Sequence, residues 1–171
     1  MREMAAKSTF ILTRKDEAMV ELIKETDHKT LGIWASACAE RVLPYFENAY
    51  PDDQRPRQAI DALQSWIKTG IFRMAVIRQA SLAAHAAARD VGADTAARSA
   101  ARAAGQAVAT AHVPSHAYGP AIYAQQAIYR ATAPFDAAAA VAGERAWQYQ
   151  RLCELRNTQE RGCGDASQGH E

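Results

Sequence analysis

Three of the five histidines, together with one glutamate, carry the side-chain chemistry suited to proton transfer or metal ligation. His85 lies in the run Leu82-Ala-Ala-His-Ala-Ala-Ala-Arg89, and His112 and His116 bracket Val113-Pro114-Ser115. Imidazole titrates near neutral pH and ligates metals through either ring nitrogen, so an inward-facing histidine is a candidate for both tasks. His112 falls eleven residues after Ala101 and seven after Gly105, which at helical pitch predicts that it faces the interior. His112 and His116 are four apart, a spacing that chelates a metal on an unbroken helix, but Pro114 interrupts the run and no HExxH pattern occurs. The plainer expectation is that His112 bonds a carbonyl at a helix end while His116 faces solvent, with no metal bound. Glu40 lies seven residues after Ile33 and seven before Glu47, on a flank shared with Ala37 and Leu43. Apolar neighbours raise a carboxyl pKa unless a cation such as Arg41, Arg55 or Arg57 pairs with it. Beside a histidine, Glu40 could serve acid–base chemistry. Paired with an arginine, it would stitch the second helix to the third, and this is the simpler expectation.

The loop Asp52-Asp53-Gln54-Arg55-Pro56-Arg57 sets two acids and two arginines around a proline. Arginine forks bind carboxylate or phosphate in bidentate fashion, so the loop could clamp an anionic group. The alternative is that the acids cap the following helix while the arginines pair back onto the body. Tyr118 and Tyr123, near Gln125, Gln126 and Tyr129, suit a partner surface or the edge of a core, because tyrosine buries its ring and wets its hydroxyl. Twenty Lys and Arg against nineteen Asp and Glu leave a net charge of +1. With no basic surplus and no aromatics between Arg98 and Arg102, neither nucleic acid nor a membrane is expected as a partner. A Gly-rich phosphate loop, a GxSxG elbow and a Cys–His pairing of recognised spacing are all missing, and no cofactor is expected.

The elements that position these side chains follow from composition. Alanine supplies 39 of 171 residues, against nine glycines and six prolines. Alanine is the best helix former and turns are scarce, which predicts an all-α, compact bundle of six or seven helices with an Ala-rich helix pair at its centre. Hydrophobic spacing and breakers place helices over 16–26, 29–48, 56–68, 73–90, 93–111, 115–131 and 134–156. Pro44 should kink the second or begin a new turn, and Val113-Pro114 should end the fifth. Residues 1–15 read as an N-terminal arm with Phe10 to Leu12 pinned on the body. Residues 16–156 read as one helical domain, and the polar, Gly-containing 157–171 as a disordered tail. Cys38, Cys153 and Cys163 have no metal-type spacing, and no apolar run of signal-peptide or membrane-span length occurs. A reduced, cytoplasmic protein is expected.

The run Trp34-Ala-Ser-Ala-Cys-Ala-Glu-Arg-Val-Leu-Pro-Tyr-Phe-Glu47 and the loop Pro51-Asp-Asp-Gln-Arg-Pro-Arg-Gln-Ala-Ile60 resemble the immunity protein 5-like group of bacterial polymorphic-toxin systems. Trp66, Ala83-Ala-His-Ala-Ala-Ala-Arg89, the stretch from Ala100 to Val113 and His116 are similar as well, so the likeness spans about residues 30–133. Gln106 stands where that pattern carries a histidine, which counts against a four-histidine cluster. The resemblance implies an all-helical cytoplasmic protein that binds and neutralises a toxin encoded beside it. Arg41, Asp52, Asp53, Arg55, Arg57, Tyr118 and Tyr123 are the expected contacts, and a homodimer is compatible with the pattern. The rival expectation is a small enzyme or ligand-binding protein using an interhelical pocket of His85, His112, His116, Glu40 and the arginines.

Overall fold

Helix caps fall where the side chains dictate. Asp16 accepts from the Met19 amide at 3.3 Å and Asp27 from the Thr30 amide at 3.0 Å, which satisfies first-turn donors of two successive helices. Pro56 occupies the first turn of the third, and Gly70 closes it in the left-handed conformation at φ 69°. The computed structural model describes Phe10 and residues 16–165. Among these residues the elements are α1 (Glu17–Lys24), α2 (His28–Ala49), α3 (Arg55–Thr69), α4 (Met74–Asp90), α5 (Ala96–Ala109), a 3-10 turn at Pro114–Ala117, α6 (Tyr118–Ala131) and α7 (Ala137–Asp165). The fold is an all-α bundle, as the composition predicts.

α5 packs against α2, α3, α4 and α6 and buries residues on nearly all its faces, among them Ala97, Ala101, Ala104 and Val108. Methyl-sized side chains let these neighbours approach closely. Each removes little apolar area, so the large buried side chains Trp34, Phe46, Leu31, Leu43, Ile60 and Leu63 supply much of the stabilising burial. Trp34, fully buried, also donates its indole N–H to the Gln148 carbonyl at 2.9 Å, tying α2 to α7.

α2 is continuous from His28 to Ala49 with the exposed Pro44 inside it, so no new helix begins there, and α5 and α6 start three residues later than expected, at Ala96 and Tyr118. α7 begins at Ala137, after a turn over Pro134 to Asp136, and continues to Asp165 where a tail was expected from Asn157. Tertiary contacts hold that polar stretch helical: Thr30 donates to Gln159 Oε1, and Arg156 pairs with Glu25 at 3.6 Å. The rest of the expected tail, 166–171, lies outside the described residues, as do Ile11 and Leu12. Phe10 packs edge-on against Tyr129, ring centroids 5.3 Å apart.

Candidate functional site

α4 and α5 approach so closely that the His85 imidazole lies against Gly105, where an added Cβ would stand 2.8 Å from Nε2. Burial lowers the pKa of His85, and the nearby Arg102, Arg89 and His116 push it the same way, so this imidazole is neutral at physiological pH. One turn earlier, Ser81 donates to the Gly105 carbonyl at 2.9 Å. His116 is half-buried rather than solvated, because its Nδ1 meets Gln106 Oε1 at 3.0 Å. With that amide oxygen accepting, Nδ1 is the donor in this contact.

His112 does not face the interior. It is exposed and stacks on Phe72, centroids 6.0 Å apart and planes 20° apart. α5 ends at Ala109, and the turn that follows keeps Ala111 buried while rotating His112 outward. The histidine that reaches a carbonyl beyond the end of α5 is His28, whose Nε2 lies 2.6 Å from the Thr110 oxygen. His112 and His116 nevertheless share a cleft of about 420 Å³ with Met74, Arg78 and Leu82 of α4. Glu40 does not line that cleft: it accepts from the Gln64 amide, joining α2 to α3 through a neutral partner instead of an arginine. Among the described residues, no three His, Cys, Asp or Glu side chains converge in a way that could hold a metal.

The loop arginines pair back onto the body. Arg55 bonds Asp53 at 2.6 Å and Asp90 at 2.8 Å, which clips the start of α3 to the end of α4. The hydrogen bonds from Arg55 hold the Asp53 carboxyl below its usual range. Arg57 grips Glu47 through both oxygens at 2.8 and 3.1 Å. Asp52 is exposed at the loop tip, while Tyr118 and Tyr123 are half-buried against the core, with the Arg102 guanidinium 6.0 Å from the Tyr123 ring. Arg41 pairs with Glu144 at 2.9 Å and lies 3.9 Å over the Trp147 ring.

Glu144 opens a buried polar network that the sequence reading missed. Gln148 donates to Glu144 Oε1 and to the Ala121 carbonyl, each at 3.0 Å, and accepts from Gln125 at 2.9 Å. Arg145 reaches Gln125 Oε1 at 3.2 Å. Burial pushes the Glu144 carboxyl up, opposed by Arg41 and Gln148, and burial raises the neighbouring Cys38 thiol further still. Every buried side-chain nitrogen and oxygen among the described residues has a partner, so this network locks α2, α6 and α7 together rather than reaching for a ligand.

A second feature escaped the sequence reading because it is a surface. Ile71, Phe72, Met74, Val76 and Leu82 are exposed by 41 to 61% along the α3–α4 corner and the first half of α4. Exposed apolar side chains gathered along one helix, on both of its flanks, make this region a candidate contact site. The signal that could have found it is charge: from Ala62 to Phe135 the only acids are Asp90 and Asp94, against seven Lys and Arg.

Among the described residues, no helix is long and apolar enough to cross a membrane. Comparison with curated proteins and with solved structures gives no match. The model of the family described as "Imm-5 like putative immunity protein" matches residues 21–155, from α1 to the middle of α7 and so across the α4 cleft, the paired loop and the buried network. The chain belongs to that immunity protein family.

Proposed function

We propose that this protein is a cytoplasmic immunity protein that binds one toxin molecule and neutralises it by covering its working surface. The exposed apolar edge from Ile71 to Leu82 carries this reading. A body cross-tied by its own ion pairs presents that edge as a preformed surface, and a preformed surface binds without first losing the entropy of ordering itself. Asp52, Asp53, Arg55 and Arg57 at the α2–α3 corner, Arg41 on α2, and Tyr118 and Tyr123 on α6 remain contact candidates. The arginines and Asp53 already have internal partners, which makes them secondary to the edge.

The test is co-expression of each neighbouring gene in a bacterial host with and without this chain. One neighbour should arrest growth alone, be tolerated beside this chain, and co-elute with it at equal stoichiometry. If no neighbouring product is both toxic and reversed, the proposal fails. A ligand-binding reading retains one observation in its favour, the shared cleft of His112, His116 and Arg78.

A further inference from the structure

α4 forms a ridge with a cleft on either side. The cleft toward α5 has a volume of about 420 Å³, and the one toward α3, lined by Trp66, Ile71 and Val76, about 390 Å³. Ile77 is buried and lines both. Between Met74 and Leu82 the ridge runs roughly 12 Å at 1.5 Å per residue, and the shared Ile77 sets the two clefts side by side along it.

The charge around the ridge has one sign. Arg78 sits on α4, Arg73 immediately precedes it and Lys68 lies in the last turn of α3, and Ala62 to Arg89 contains no Asp or Glu. The elements facing α4 across the larger cleft add none, because residues 95–135 also lack acids. Most arginines elsewhere are neutralised internally: Arg41 by Glu144, Arg55 by Asp53 and Asp90, Arg57 by Glu47, and Arg98 and Arg130 by Asp94. Lys68, Arg73 and Arg78 have no such partner among the described residues. Three unpaired cations beside five exposed apolar side chains, in a stretch of chain without acids, make a surface complementary to acid and oil together.

We infer that the α4 ridge docks an acidic, amphipathic segment of a protein partner, whose apolar side chains fill the two clefts while its carboxylates face Lys68, Arg73 and Arg78. The inference deepens the immunity reading and rests on it for the partner's identity, but not for the partner's chemistry. A second copy of this chain docked ridge to ridge would set like charges against each other, which disfavours a twofold dimer through this face. Nucleic acid would match the cations and leave the five apolar side chains without a counterpart.

The test uses a random 12-residue peptide display library selected on the immobilised full-length protein, with affinities of the recovered peptides measured by fluorescence polarisation. Selected peptides should be enriched in Asp and Glu around two large apolar residues. Their binding should weaken about tenfold or more in an Arg73→Glu/Arg78→Glu variant and in Leu82→Ser, and should weaken with added salt. These side chains are exposed, so the variants should keep the helical circular dichroism and melting temperature of the wild type. Recovery of peptides without acidic enrichment would overturn the inference, as would equal binding by the charge-reversed variant or no binder at all. Preferential binding of a 20-nucleotide single strand to the ridge would overturn it in favour of nucleic acid. Growth rescue with no loss in the Arg73→Glu/Arg78→Glu variant would leave the immunity function standing and remove the ridge from it.

Discussion

Replacing Gly105 by alanine should reveal how tightly α4 and α5 are pressed together, and the effect should change sign with the residue at position 85. A Cβ at Gly105 would stand 2.8, 2.9 and 3.0 Å from Nε2, Cδ2 and Cε1 of His85. Ordinary contact requires 3.4 Å or more, so the ring must retreat by roughly half an ångström or the helices must part. Overpacking of this kind costs about 1–3 kcal/mol. Exchanging glycine for alanine inside a helix returns up to about 1 kcal/mol through helix propensity. The sum for Gly105→Ala is therefore a net loss of about 0–3 kcal/mol. In a His85→Ala background the obstruction is gone, and Gly105→Ala should stabilise by up to about 1 kcal/mol. The coupling energy of the double-mutant cycle, about 1–3 kcal/mol, is what the close approach predicts. Urea denaturation of the four proteins followed by circular dichroism at 222 nm measures it, provided the slopes with denaturant agree. Equal stabilisation by Gly105→Ala in both backgrounds would show that His85 and Gly105 are not in the contact described.

Two other perturbations probe the network joining α2, α6 and α7. Burial raises the Glu144 carboxyl above its reference of 4.5, so between that value and the folded one the native state holds more protons than the unfolded chain. Its contribution to stability is therefore greatest at low pH and falls as pH rises through that window. Glu144→Gln keeps one acceptor oxygen and sets its NH2 against either Arg41 or Gln148, so it should lower stability while removing this slope; the pH dependence of the difference between wild-type and variant urea midpoints across pH 4 to 8 is the readout, because Asp27, Asp53 and Asp94, whose pKa values are lowered, contribute the opposite slope to both proteins. Trp34→Phe removes the donor to the Gln148 carbonyl and part of a fully buried ring, and should cost about 2–4 kcal/mol in the same urea assay.

Helix positions were legible because local signals set them. Asp27, Pro56, Gly70 and Pro114 mark boundaries by caps, by the missing N–H or by a left-handed φ, and these choices are made within a few residues. The placement of His112 failed for a related reason: helical phase was carried three residues past Ala109, and a turn resets it. The far end of α7 depends on contacts with α1 and α2, so polar composition alone gives the wrong answer for Asn157 onward. Glu144 and Gln148 escaped notice because α7 begins in alanines that mark no face. Counting back from the fully buried Leu152 in steps of four would have placed both inside. The ridge was hidden by averaging, since a whole-chain charge of +1 conceals a middle stretch with seven cations and two acids.

The same distinction separates the arginines that build this protein from those available to a partner. Arg55 already makes three side-chain bonds to Asp53 and Asp90, so a partner carboxylate could claim it only by releasing two acids and unclipping α3 from α4. Arg41 would have to leave the buried Glu144 charge with only the neutral Gln148 amide, a loss that exceeds what a surface ion pair returns. Arg73 and Arg78 give up only water. Exposed charges of that kind add little affinity each, but they guide encounter and reject partners of the wrong sign, while the neighbouring apolar side chains supply the area that leaves water on binding. A helical protein with this division of labour can recognise one acidic partner without loosening the ties that keep its own helices in register.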